Sequence, residues 1–221
     1  PQGSFIIEFP YLVTMFDEML FDMIYHEHLS YIAVTPLDRL LRRFGLEVFS
    51  IQEVASHGGS LRVFIQKQGA GRPRSPEVDQ LLKKEAQEGY GAFTIYQQFA
   101  ERVYQVKRDL VEFVRRAKAE GKSLAGYGAA AKANTLINFC GWTSRDLEYV
   151  VDDNPLKQNH FSPGAKLPVV PNRYLFEHPV DTVIIFAWNF AEEIVRKLEP
   201  LRGKGVRFLT PLPRPRLIEP K

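Results

Sequence analysis

The pattern of apolar and polar positions changes character near residue 123. Before it, apolar runs at 5–9, 46–54 and 61–65 predict short strands, the first closed by Pro10. The second and third form an antiparallel pair around Ser56-His57-Gly58-Gly59-Ser60, whose glycines supply a turn or bulge. Residues 13–20 predict a short helix. Another starts at Thr35-Pro36-Leu37-Asp38, with Thr35 as its cap, Pro36 at its first position and Asp38 completing a capping box. Leu37, Leu40, Leu41 and Phe44 form its apolar face and Gly45 ends it. Residues 66–74 read as a linker and a domain boundary. Ser75-Pro76-Glu77 caps the next helix, and after a break at Gly89 and Gly91 a long helix runs to about residue 120. Its stripe of Phe99, Val103, Val106, Leu110, Phe113 and Ala117 is spaced at threes and fours, which predicts packing without chemistry.

From Ser123 strands and helices alternate. Strands are expected at 124–128, 147–152, 182–188 and 206–209, and helices at 129–139 and 190–198. Such alternation implies a parallel sheet with right-handed crossovers, so the fold class is α/β. Residues 211–221, with four prolines, read as an extended tail.

Composition narrows the picture without deciding it. An apolar fraction of 45% and a charged fraction of 25% over 221 residues are those of a globular protein of one large or two small domains. The net charge of +3 is slight and the basic residues are interleaved with acids, which argues against nucleic acid as a partner. No apolar run approaches a membrane span, and no signal peptide opens the chain. The single Cys140 excludes an intrachain disulfide and a cysteine zinc cluster, and fits a reducing cytoplasm. The chain opens at Pro1 without methionine and enters a strand at once, which suggests a piece of something longer.

Candidate chemistry concentrates in Asp22-Met23-Ile24-Tyr25-His26-Glu27-His28-Leu29-Ser30-Tyr31. Two imidazoles, two carboxylates, two phenols and a hydroxyl exceed what packing requires. Histidine is the usual base near neutral pH, glutamate beside it can fix its tautomer, and a phenol can donate to a developing oxyanion. A structural role and a catalytic one both fit this spacing. A zinc helix motif does not fit, and a metal site would need His57 or Cys140 from far along the chain, so no metal is assigned. His57 reads as a surface turn residue in preference to one reaching into a cleft.

A second constellation is Gly126-Tyr127-Gly128-Ala129-Ala130-Ala131, between a strand and a helix as a dinucleotide fingerprint requires. Glycines let backbone approach a phosphate at a helix N-terminus. Lys132 and Asn134 add a charge and a hydrogen bond, and Asp152-Asp153-Asn154 ends the next strand, where a ribose-binding acid belongs. Asn189 follows a later strand at the same carboxyl edge. A structural glycine turn with a surface acid pair is the competing reading.

Taken together, the runs Tyr25-His26-Glu27-His28-Leu29-Ser30-Tyr31, Ser56-His57-Gly58-Gly59-Ser60-Leu61-Arg62-Val63, Gly126 to Thr135 and Asp152-Asp153-Asn154-Pro155-Leu156-Lys157-Gln158 resemble the S-adenosylmethionine-dependent sugar C-methyltransferases. These enzymes methylate C-3 of dTDP-4-keto-deoxysugars. The resemblance implies that His28 is the base that removes a proton α to the ketone, with Glu27 and Tyr25 in support. It implies a nucleotide-sugar site at Gly126, Tyr127, Gly128, Ala129, Lys132, Asn134, Asp153, Asn154 and Asn189. It also implies that residues 1–68 are the closing part of a class I methyltransferase sheet, 69–121 linker and helices, and 122–221 a Rossmann-like nucleotide-sugar-binding domain. The family's zinc cysteines and its loop for the methyl donor S-adenosylmethionine lie upstream, so this chain alone is expected to be inactive. Two other functions remain open: a nucleotide-binding module without activity of its own, and an NAD(P)-dependent oxidoreductase using the same glycine turn.

Overall fold

The computed structural model of the protein describes residues 3–219, and the expectations for Pro1, Gln2, Pro220 and Lys221 lie outside them. Two compact units result. One comprises the residues up to Phe21 together with His28–Arg102; the other comprises Asp22–Glu27 and the residues from Val103 on. The units therefore do not divide at the 66–74 linker.

In the first unit, β1 (Phe5–Pro10), β2 (Leu46–Val54) and β3 (Ser60–Lys67) form an antiparallel sheet in the order β1-β3-β2. The period-two pattern sets its faces: Phe9, Val48, Ile51, Leu61, Val63 and Ile65 are buried. On the other face Glu8 stands opposite Arg62 in the register and accepts 3.0 and 2.8 Å bonds from its Nε and Nη2. A bulge interrupts the β2–β3 register between Val48 and Ser50. α1 (Leu12–Asp17) follows β1, and its Phe16 ring stacks on Phe99 at 4.0 Å.

α2 (Val34–Arg42) corrects the expected cap. It begins before Thr35, its cap position is Ala33, and no side chain of its own segment closes it. The carboxylate of Glu85, on α3 (Pro76–Gln87), does so instead, accepting bonds from Val34 N at 2.6 Å and Thr35 N at 2.7 Å. Asp38 is no capping-box acid; it pairs with Arg42 and Arg74. Its buried stripe is Val34, Leu37, Asp38 and Leu41, while Leu40 and Phe44, expected on the apolar face, are exposed. α4 (Phe93–Ala119) is the expected long helix; Phe99, Val106, Leu110 and Ala117 of the expected stripe are buried, Val103 and Phe113 are only half-buried, and Val114 joins the stripe.

The second unit carries a six-stranded sheet in the order β6-β5-β4-β7-β8-β9. β4 (Leu124–Tyr127), β5 (Val150–Val151), β6 (Val169–Val170), β7 (Thr182–Ile185) and β8 (Arg207–Thr210) are parallel, and β9 (Arg216–Leu217) runs antiparallel at the edge. The expected alternation is present, with α5 (Ala131–Cys140), α6 (Asn172–Glu177), α7 (Ala191–Lys197) and α8 (Glu199–Arg202) between strands. Two-residue β6 and β9 were not expected; the proline-rich tail pairs with Leu209 and Thr210 instead of running free. Because the chain steps from β4 outward to β5 and β6, then returns to β7 on the other side, the strand order reverses between β4 and β7. The carboxyl ends of those two strands are where a parallel sheet opens a crevice for a ligand.

Candidate functional site

In the first unit the expected base and the turn histidine meet. His28 lies half-buried on a stretch with neither helix nor strand, and the ring of His57 stands 5.7 Å from its ring, edge-on at 85°. His57 is exposed at the turn, as expected. Its backbone is left-handed, with φ of 55°, a conformation that costs about 1 kcal/mol or more for a residue with a side chain and so marks a held position. The turn is pinned from below by Glu8, whose Oε1 accepts a 2.9 Å bond from Ser56 Oγ. That bond, followed by those from Arg62, holds the Glu8 carboxyl below its usual range, and the nearby His57 acts in the same direction. Gly59 is required here: a Cβ would lie 2.5 Å from Thr14 Cγ2. A pocket of about 290 Å³ opens beside it, lined by Tyr11, Thr14, Glu53, Gly59 and Ser60 among others.

The preceding residues belong to the second unit. Tyr25 is half-buried, and its amide donates to Met23 O at 3.0 Å. His26 and Glu27 are open to solvent, with Nε2 and Oε1 4.0 Å apart. Asp22 is the opposite case: it is 0% exposed, and its Oδ2 accepts a 2.7 Å bond from the indole Nε1 of Trp188, 166 positions along the chain. Burial pushes its carboxyl up to about 6 against the opposing effects of Trp188 and Lys132. The sequence offered no sign that Asp22 differs from its polar neighbours.

At the carboxyl edge of the second unit's sheet the chain leaves β4 through the glycine turn and enters α5. Gly128 has φ of 96°, and a Cβ there would meet that of Ala187 at 3.0 Å, so the ends of the β4 and β7 segments approach closely only because position 128 has no side chain. Gly126 is internal to β4 and packed, a Cβ falling 2.5 Å from the Phe186 ring. The Ala129 amide is already bonded, donating to Asp152 Oδ2 at 2.7 Å. Asp152 is buried and fully committed: it also accepts from Asn154 N at 2.8 Å and Lys157 Nζ at 3.2 Å. Asp153, its neighbour, is exposed and accepts from Tyr127 Oη at 2.9 Å and Lys197 Nζ at 2.7 Å. Burial pushes the Asp153 carboxyl up, but these two bonds outweigh it and leave it below the usual range. Burial, with Asp153 adding to it, raises the Tyr127 phenol above its ordinary value.

Both bonds to Asp153 go to Oδ2, so Oδ1 has no hydrogen bond among the described residues. Asn154 turns its own Oδ1 to Leu156 N at 3.0 Å. Asn134 and Asn189 make no side-chain hydrogen bond among the described residues. Lys132 Nζ lies 4.9 Å from the centroid of the Trp188 ring. The edge thus offers a cation, two amides and a carboxylate oxygen. Lys197 escaped the sequence reading, and Lys157 entered it without a role, because lysines on a helix and a polar loop give no local signal.

Among the described residues no helix is long and apolar enough to cross a membrane, and no group of three or more His, Cys, Asp or Glu side chains could hold a metal ion. Cys140 is buried, and burial pushes its thiol up to about 12.

The described residues thus hold a nucleotide-type glycine turn in one parallel sheet and an irregular segment rich in acid and base groups. Residues 55–213 match the family described as the C-methyltransferase C-terminal domain, and the chain belongs to that family. It is 35% identical over 218 residues to the C-methyltransferase NovU of Streptomyces niveus, a match that takes in 99% of this chain and 52% of the relative. The chain therefore spans about half the length of the relative it matches.

Proposed function

We propose that this chain is the C-terminal part of a C-methyltransferase that transfers a methyl from S-adenosylmethionine to the carbon α to the ketone of a nucleotide-linked keto-deoxysugar. The observation that carries the reading is His28, half-buried on irregular chain with the His57 ring against it. An imidazole placed so can reach a substrate and lose its proton again to solvent, which a sealed or fully exposed one cannot do as well. His28 takes the proton from the α carbon, and the enolate carbon becomes the nucleophile. Tyr25 donates to the enolate oxygen, and Glu27 supports the base. The edge-on His57 fixes the orientation of the His28 ring.

The nucleotide end of the substrate, dTDP in this reading, lies at the crevice of the second unit. Gly126, Tyr127, Gly128 and Ala129 shape the turn. Lys132 meets the diphosphate, Asp153 Oδ1 a ribose hydroxyl, and Asn134, Asn154 and Asn189 the remaining polar groups. The Asn134 and Asn189 amides and Asp153 Oδ1, none of them hydrogen-bonded among the described residues, support this assignment.

S-adenosylmethionine, which the family implies, does not fit the described residues of either unit. The glycine turn that would receive it has its Ala129 amide and Asp152 carboxylate bonded to each other, and the first unit's sheet is wholly antiparallel with no such turn. Its site lies outside these residues. β1 supports a sheet continued elsewhere: among the described residues it pairs with β3 alone and exposes Phe5 at 55% and Ile6 at 52%. We accordingly read 1–68 as the closing part of a class I methyltransferase sheet, 69–121 as linker and helices, and 122–221 as the nucleotide-sugar domain, in a cytoplasmic protein.

Calorimetry on this chain with dTDP, NAD and S-adenosylmethionine tests the reading. Binding of dTDP only is expected; tight NAD binding would replace the reading with an oxidoreductase.

A further inference from the structure

The chemistry above makes no use of Asp22, yet it is the most deeply buried polar group of the whole Asp22 to Tyr31 stretch. An ionised carboxylate out of contact with water is costly unless well compensated, and here the compensation is partial. Oδ2 has the Trp188 N–H, while Oδ1 is sealed from solvent and has no partner among the described residues. Holding an indole N–H requires only an acceptor, and a neutral amide would serve. The retained charge therefore asks for a role that a neutral group would not fill.

Its electrostatic surroundings suggest one. Trp188 follows β7, and Lys132 stands in the first turn of α5 after the glycine turn, so both lie at the carboxyl edge where the strand order reverses. Carboxylate, indole edge, indole face and ammonium follow one another: 2.7 Å from Asp22 Oδ2 to Nε1, then 4.9 Å from the ring centroid to Lys132 Nζ. The groups acting on Asp22 are Lys132 from α5, Trp188 from the segment after β7, and the backbone amides of Asp22 and Met23 in its own turn. Lys132 is the one formal cation among them. It is also the group assigned above to a diphosphate. Two anions would then share one cation.

We propose that binding of a nucleoside diphosphate ester at Lys132 is coupled to partial protonation of Asp22 from solvent, an uptake of about half a proton at most. The phosphates draw on the charge that compensates Asp22, and the buried carboxylate, left with the Trp188 N–H and the backbone amides of its own turn, shifts toward its neutral form as the ligand binds. Linkage makes the effect reciprocal: a protonated Asp22 leaves Lys132 wholly to the ligand, so affinity rises as pH falls through the range in which Asp22 titrates. A midpoint near 6 for the free protein puts that range within reach of the assay. The proposal rests on the reading of the crevice as a nucleotide site.

The test uses the full chain and a dTDP-hexose, whose diphosphate diester does not itself titrate between pH 5 and pH 8. Calorimetry in buffers of different ionisation enthalpy counts the protons taken up. The wild-type chain is expected to bind roughly five- to tenfold more tightly at pH 5 than at pH 8, with proton uptake on binding near pH 7. Asp22→Asn, isosteric and neutral, should hold the low-pH affinity across the range with that uptake abolished. Trp188→Phe removes the N–H but keeps the ring face, and should move the fall in affinity to higher pH. If the wild type binds but Asp22→Asn shows the same pH dependence and proton count, the coupling is overturned while the nucleotide reading stands. A wild-type chain that does not bind the dTDP-hexose at any pH overturns both.

Discussion

Glu85 ties α3 to the start of α2 and to Tyr11, and its removal gives a sharp prediction. It is 1% exposed and accepts three bonds: Val34 N at 2.6 Å and Tyr11 Oη at 2.9 Å on Oε1, and Thr35 N at 2.7 Å on Oε2. Two of these satisfy amides at the start of α2, which no local side chain caps. Glu85→Ala orphans all three donors. Each stranded buried donor costs about 1–3 kcal/mol, and Thr35, being half-buried, recovers part of its share from water, so a loss of about 3–5 kcal/mol is expected. Glu85→Gln keeps the oxygen for Val34 and Tyr11 but turns an amide NH₂ toward Thr35 N, a loss of about 1–3 kcal/mol. Because two compact units need not unfold together, the assay is native-state hydrogen exchange at the Val34 and Thr35 amides beside urea unfolding. Both amides should lose protection in step with the global change. A loss below about 1 kcal/mol for Glu85→Ala, with the two amides still protected, would refute the argument that this carboxylate is the helix cap.

Three further outcomes follow from the same geometry. Burial raises the Asp22 carboxyl from 3.8 to about 6, so the stabilisation of its protonated form is complete below about pH 3.8 and lost as pH rises through 6; at 1.36 kcal/mol per unit the change is about 3 kcal/mol. The stability difference between Asp22→Asn and wild type, measured by urea unfolding from pH 4 to pH 8, should therefore grow in favour of the variant, and parallel curves would contradict it. Gly128→Ala combines a φ of 96° with a Cβ 3.0 Å from that of Ala187; a loss of about 2–3 kcal/mol and weakened dTDP binding are expected, and an unchanged melting curve would show that the turn relaxes freely. In a full-length enzyme with methyl-transfer activity, His28→Ala should lower kcat by roughly two orders of magnitude or more with nucleotide affinity nearly unchanged, and undiminished transfer would remove it from the mechanism.

Periodicity and punctuation determined much of this protein without help from the fold. The antiparallel pair around Ser56 to Ser60, the long helix with its Phe99 to Ala117 stripe, and the alternation after Ser123 are short-range consequences of apolar spacing, glycine and proline. The Gly126 to Ala131 turn was legible for the same reason, since a left-handed backbone and a close approach to Ala187 both call for glycine at 128. The polar run from Asp22 to Tyr31 announced itself because so many ionisable groups are rare within an apolar stretch.

Tertiary structure decided everything that depended on a partner far along the chain. Thr35 carries the sequence signature of a cap, but Glu85, fifty positions on, outbids it because a carboxylate accepts two amides at once and no window of local sequence contains both elements. Of the two adjacent acids Asp152 and Asp153, the first is sealed and spent on Ala129, Asn154 and Lys157 while the second keeps an oxygen free, a division set by which way the strand end points. His57 reaches His28, and Asp22 reaches Trp188, only once the chain has folded back on itself. Local pattern states what a residue wants; the fold alone determines which distant group supplies it, because hydrogen bonds and charge act across space and take no account of sequence distance.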